Sequence, residues 1–325
     1  MPPPFVYRIT KYDPADRDEH GHYTGAEDVT SDHGPVESAY LQAVAAFAEG
    51  CGISHLAIRE PQITGPVHFG VEPAVDGHGL AGLFPPDLTG FHDGAEVSLD
   101  VALELVRAML RDNGAWCRLE AEDAFAVHVG WDQYVFVSGH GPCDSALALT
   151  RKLGLFPEPL PSSPYAADYD EPGVQRPADA DFWAQLLELV AGQAALLEEV
   201  YVDNASRWHR LTEESLDSVR ARLTPRARLM VWPDLSTDVD GVLAALPAEV
   251  LELVWEDVNG AITSTIADHR RLATHLAAAR AAVALPLDVD SRRPLLAAVL
   301  PDADGVLRAR WRTEPAGPAV SGSGG

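Results

Sequence analysis

The 325-residue chain carries 49 Asp and Glu against 24 Lys and Arg, a formal net charge of -25, with 46% hydrophobic and 22% charged residues. That length supports one large domain or two ordinary ones with substantial cores, and so acidic a surface repels phosphate backbones and anionic membranes while attracting basic partners. No segment approaches the roughly 20 apolar residues of a bilayer span, Met1-Pro2-Pro3-Pro4 lacks a signal-peptide pattern, and Cys51, Cys117 and Cys143 show no C-x-x-C spacing, so a cytoplasmic chain without a disulfide framework is expected.

In chain order, Phe5–Ile9 reads as a strand ended by Tyr12-Asp13-Pro14, and the polar stretch that follows reads as a long surface loop. Pro35 opens a helix with Val36, Tyr40, Val44 and Phe47 on its apolar side, and Gly50 closes it. Ser54–Arg59 is a second strand, whereas residues 61–97, with Gly or Pro every few positions, show no readable period. Ser98 caps a helix bearing Leu99, Leu103, Val106 and Leu110. From Ala115 to Phe156 the pattern is a three-stranded meander and then a helix: Ala126–Val129 and Tyr134–Val137 alternate as half-buried strands do, about a turn at Gly130–Gln133. Pro142 opens the helix and Gly154 stops it.

Tyr7-Arg8-Ile9-Thr10-Lys11-Tyr12-Asp13-Pro14, Val127–Asp132, Gly154-Leu155-Phe156 and Ser163-Pro164-Tyr165 together resemble an uncharacterised family of small bacterial cytosolic proteins. The resemblance spans roughly the first 165 residues. It implies a discrete domain and brings no activity or site residue with it.

The proline-rich, acidic stretch 161–178 has linker composition. The expected organisation is therefore a domain over 1–160, the linker, a second domain over 179–314 and a low-complexity tail over 315–325. The expected class is α+β, two domains, each a largely antiparallel or mixed sheet with packed helices. In the second half Asp181 and Thr212 read as helix caps, strands fall at 199–203, 226–232, 250–256, 261–266 and as a pair 295–301 with 306–312, and an Ala-rich helix at about 265–282. Asp238–Gly241, Asp257–Gly260 and Asp302–Gly305 share the form D-x-[DN]-G. They lack the bidentate Glu of a calcium loop, so they read as a helix start and two turns.

Four groupings are candidates for chemistry. Cys143 lies at a helix N-terminus three residues after His140, where a dipole lowers a thiol's pKa and an imidazole can act as base. Asp16, Asp18, His20 and His22 offer oxygen and nitrogen donors to a divalent metal, the sole cofactor candidate. Trp131 with Asp132, and Arg207-Trp208-His209, combine aromatics with charge as binding surfaces do; Arg308, Arg310 and Arg312 fit an internal ion-pair network better. Asp203, Asp234, Glu256, Asp257 and Asp302 close apolar runs and would converge only if those strands were parallel. With no P-loop, G-x-G-x-x-G, G-x-S-x-G or H-E-x-x-H present, the leading expectation is a non-catalytic, acidic, cytosolic protein-binding module that neutralises a basic partner such as a toxin. The alternative is a metal-assisted or thiol-dependent enzyme built on the His20/His22 loop or the His140/Cys143 turn. Nucleic acid and membrane are disfavoured as partners, and the pattern leaves oligomeric state open.

Overall fold

The structure is a computed structural model that describes residues 4–25, 34–67, 79–130, 134–163, 174–246, 250–267, 272, 275–277, 279–287 and 291–313. The expected sites Trp131 and Asp132 and the tail over 315–325 lie outside the described residues, as do parts of the 161–178 stretch and of the Ala-rich helix. The chain is a mixed α/β structure that divides into two compact units, residues 1–64 with 76–170 and residues 65–75 with 171–325.

The first unit is built on antiparallel pairing. The meander of β4 (Ala115–Ala121), β5 (Phe125–Val129) and β6 (Val135–Gly139) follows the sequence alternation. β1 (Phe5–Thr10) lies between β6 and β7 (Phe156–Leu160), while β2 (His55–Val67) joins β4 on one side and β3 (Glu96–Ser98) on the other. Residues 61–67, unreadable from pattern, continue β2 across a bulge, where Glu60 takes a positive φ of 49°. Helices α1 (Pro35–Gly50), α2 (Leu99–Leu110) and α3 (Asp144–Lys152) pack together, burying Tyr40, Val44, Phe47, Leu105 and Val106. The Ser98 hydroxyl accepts from the Val101 amide and caps α2 as expected.

Glu37 on α1 is a buried acid at the helix contact. It accepts from Arg111 Nε at 2.6 Å and from Arg107 Nη1 at 2.5 Å, tying α1 to α2. Burial opposes its charge, yet the hydrogen bonds from Arg111 and Arg107 prevail and hold its carboxyl below the usual range.

The second unit holds α4 (Ala180–Val190), β8 (Ala195–Leu211), α5 (Leu216–Arg220), β9 (Arg228–Pro233), α6 (Val239–Ala245), β10 (Leu251–Glu256), β11 (Ile262–Ala267), β12 (Ala281–Pro286) and β13 (Leu296–Val299). β9 pairs with β8 and β13, and β10 with β11 and β12, all antiparallel. Alternation along β10 sends Val254 to a core shared with Leu196, Trp208 and Trp232, and Leu251, Leu253 and Trp255 to a separate core with Leu246, Leu272 and Leu276.

Four expectations for this unit change. Asp179 rather than Asp181 caps α4, its Oδ1 accepting from the Asp181 and Phe182 amides, because the helix begins at Ala180. The stretch assigned to an Ala-rich helix at about 265–282 keeps helix at Leu272, His275 and Leu276 but is strand at both ends, Ala267 closing β11 and Ala281 opening β12, since β10 offers both a neighbour on either side. Residues 306–312 form no strand, because β13 pairs with β9 instead. Strand 199–203 is one arm of a longer element: ten residues of straight strand would span about 33 Å, yet Glu199 and His209 meet at 2.7 Å and Arg207 stacks 4.2 Å over Tyr201. β8 therefore doubles back about Asp203-Asn204, where Asn204 has a φ of 65°.

The first two D-x-[DN]-G tetrads behave as read, and the third is a turn but not a hairpin, since no strand follows it among the described residues. Asp238 Oδ1 accepts from the Gly241 amide and caps α6, Gly260 turns between β10 and β11 at a φ of 85°, and the Asp302 amide donates to the Val306 carbonyl while its own carbonyl accepts from the Gly305 amide.

Candidate functional site

Besides the His20/His22 loop, charged and nucleophilic groups gather at five places in the described residues, and at two of them an arginine is held between carboxylates. On β4, Arg118 is buried, with Glu60 at 3.1 Å and Glu120 at 3.4 Å. Beside it His128 of β5 is wedged edge-on between Trp116 and Phe136, each ring 5.6 Å away. Alternation places His128 opposite Val127 and Val129, but that face is covered too, so the imidazole is buried rather than at the surface. Burial, with Arg118 adding to it, pushes its pKa down to about 3, and the ring stays neutral.

Two consecutive glutamates on β8 make the second and third places. Glu198 shares its face with Leu196 and looks across to Glu252 of β10; Arg292 lies between them at 2.8 and 2.7 Å, and the indole of Trp232 donates to Glu198 at 3.0 Å. Burial pushes the Glu198 carboxyl up to about 7, Arg292 opposing the rise and Glu252 adding to it. Glu199, on the opposite face, meets His209 Nε2 at 2.7 Å and accepts from the Thr224 amide at 2.7 Å. Burial again opposes the charge, but here His209 and Thr224 prevail and the carboxyl lies below its usual range.

The expected surface at Arg207-Trp208-His209 is thus turned inward. Trp208 is 8% exposed in the core, while Arg207 and His209 engage Tyr201 and Glu199 across the β8 hairpin. Of the strand-end acids, Arg210 gathers Asp234 at 3.0 Å and Glu256 at 2.8 Å, Arg226 and Arg308 hold Asp302, and Asp203 is exposed at the hairpin bend.

The fourth place is the Cys143 turn. Cys143 is the N-cap of α3, which places Pro142 before the helix rather than in its first turn; its sulfur faces Cys51 at 3.6 Å and His140 is exposed. The thiol's pKa goes up to about 11, opposite to the helix-dipole expectation. Burial, the hydrogen bond to Cys51 and the negative charge of Asp144 outweigh one short helix.

In the His20/His22 loop, Asp16 ends a short 3-10 turn and the Asp18 carboxylate accepts from the His20 and His22 amides at 2.9 and 2.8 Å. That carboxylate closes the turn; both imidazoles stand in solvent with their centroids 6.2 Å apart. Among the described residues no three His, Cys, Asp or Glu side chains converge to hold a metal ion.

The fifth place is a recess of about 260 Å³ in the first unit, lined by Lys11, Tyr12, Tyr23, Pro35, Val36, Ala39 and Leu153–Leu155. The Tyr12 and Tyr23 rings lie 4.5 Å apart and the Lys11 ammonium sits 5.2 Å over Tyr12. Lys11-Tyr12 and Gly154-Leu155, far apart in sequence, meet at this recess.

Sequence reasoning missed Glu37, Glu198, Glu199, Glu252, Arg292 and Cys51. The one available signal was Glu198-Glu199 inside the run Leu196–Val202, a pair of acids where a strand is otherwise apolar. No family model, no curated protein and no solved structure matches this chain. Among the described residues no helix is long and apolar enough to cross a membrane.

Proposed function

We propose that the chain is a non-catalytic, acidic protein-binding module that captures a basic partner, as an immunity-type protein captures a basic toxin domain. The observation that carries this reading is where the positive charge goes. Arg8, Arg17, Arg59, Arg107, Arg111, Arg118, Arg210, Arg226, Arg292 and Arg308 each lie within salt-bridge distance of a carboxylate of the same chain. With these ten of the chain's 24 Lys and Arg already engaged among the described residues, the surplus of acid is expressed outward.

One stretch of that surface is well placed for an encounter. Asp179, Asp181 and Glu188 of the α4 region and Glu213, Glu214 and Asp217 around α5 are all exposed, and the two helices adjoin through Arg220 stacked 4.5 Å over Trp183. Leu187, 45% exposed on α4, adds an apolar contact. Charge of this kind steers a basic partner in, and a few apolar contacts hold it.

The test is affinity capture with the full chain across a salt series. Basic proteins should be retained at low salt and released as salt rises, and changing Glu213, Glu214 and Asp217 together to Lys should weaken capture about tenfold or more. Retention of only neutral or acidic proteins, or capture indifferent to salt, would overturn the reading.

A further inference from the structure

We propose that Cys51 and Cys143 form a reversible dithiol–disulfide site that links the C-terminal end of α1 to the N-terminal end of α3. The two residues are 92 apart in sequence, yet their sulfurs are in contact at 3.6 Å, against about 2.0 Å in a disulfide. Three features hold them there. α1 and α3 pack against each other, so their ends are fixed in register. Cys143 adopts a φ of 48°, a left-handed conformation that residues with side chains rarely take, at the residue whose sulfur meets Cys51. Gly139 of β6 supplies the space: a Cβ there would come within 2.9 Å of the Cys51 sulfur. Both thiols are half-buried and reachable, whereas Cys117 is fully buried with its pKa pushed up to about 12 by burial.

The chemistry is exchange with a small dialkyl disulfide. The Cys51 thiolate attacks one sulfur of the reagent; a protein–reagent bond forms, the reagent's own S–S bond breaks, and one small thiol leaves with the proton that Cys51 released. Cys143 then loses its proton to solvent and attacks the Cys51 sulfur. The Cys51–Cys143 bond forms, the mixed disulfide breaks, and the second small thiol departs protonated. Two protein thiols are oxidised by two electrons and the reagent is reduced to two thiols. In the dithiol, burial and the contact with Cys51 hold the Cys143 thiol above its usual range, which leaves Cys51 to attack first, and cross-linking speeds up as pH rises.

The experiment incubates the full native chain with hydroxyethyl disulfide and follows intact mass, thiol count after denaturation, and mapped peptides. Expected are the loss of two hydrogens, one remaining thiol at Cys117, a Cys51–Cys143 cross-linked peptide, and a melting midpoint raised by on the order of 5 °C and restored by dithiothreitol. Cys143→Ser should stop at a stable adduct on Cys51, and Gly139→Ala should slow cross-linking. A native chain that accumulates stable mixed disulfides, cross-links through Cys117, or keeps all three thiols would overturn the proposal, and that measurement needs no variant to fold.

Discussion

Glu60–Arg118–Glu120 in the first unit and Glu198–Arg292–Glu252 in the second each set an arginine between two acids, but in opposite senses. In Glu60–Arg118–Glu120 the cation is inside, 4% exposed, and its carboxylates reach solvent at 31% and 16%. In Glu198–Arg292–Glu252 the carboxylates are inside, at 5% and 9%, and the cation enters from the edge at 18%. The difference decides which neighbour's proton equilibrium moves. An interior guanidinium helps burial keep His128 neutral, whereas an interior carboxylate pair drives Glu198 towards protonation near neutrality. An arginine that looks equivalent in a list of ion pairs therefore has a different task in each unit.

The contrast is most easily broken at Arg292. Arg292→Ala leaves two desolvated acids facing each other and should cost about 3–5 kcal/mol in urea unfolding at neutral pH; a cost under about 1 kcal/mol would mean that the carboxylates are hydrated. Arg118→Ala should cost less, about 1–3 kcal/mol, because Glu60 and Glu120 can turn to water. The pH profiles should then oppose each other. Unfolded His128 takes a proton near 6.5 and the folded residue only near 3, so its contribution to stability is lost as pH falls from 6.5 towards 3, about 2 kcal/mol by pH 5. His128→Phe should remove that slope. Folded Glu198 protonates near 7 against 4.5 unfolded, so its contribution is complete below 4.5 and lost as pH rises towards 7. The difference between wild type and Glu198→Gln across that window should carry the opposite sign to the His128 difference. Smallest are the matched caps: Ser98→Ala in one unit and Asp238→Ala in the other should each cost about 1 kcal/mol by thermal melting.

The meander 115–139, the Ser98 cap and the three D-x-[DN]-G tetrads were legible because alternation, capping and turn chemistry are local signals. The β8 hairpin was not. Asp203-Asn204 reads as the end of a strand, and only the contacts of Glu199 with His209 and Tyr201 with Arg207 reveal that the chain returns along itself. Buried Glu198 and Glu199 were missed for a related reason: adjacent acids read as polar surface until Trp232, Glu252 and Arg292 are brought to the first, and His209 and Thr224 to the second. Cys51 and Cys143 illustrate the same limit, since spacing along the chain carries no record of which helix ends will pack. The fate of the Ala-rich stretch was set by tertiary context, because Ala281–Leu285 favours a helix alone and a strand when β10 is beside it.

The placement of β1 between β6 and β7 has a consequence for biosynthesis. β1 is translated before both of its neighbours and meets them only after residues 135–139 and 156–160 have been made. Until then Val6, Tyr7 and Ile9 have neither of these strands to pair beside, so closing this part of the sheet waits on contacts about 130 to 150 residues apart in sequence, the kind of pairing that forms slowly.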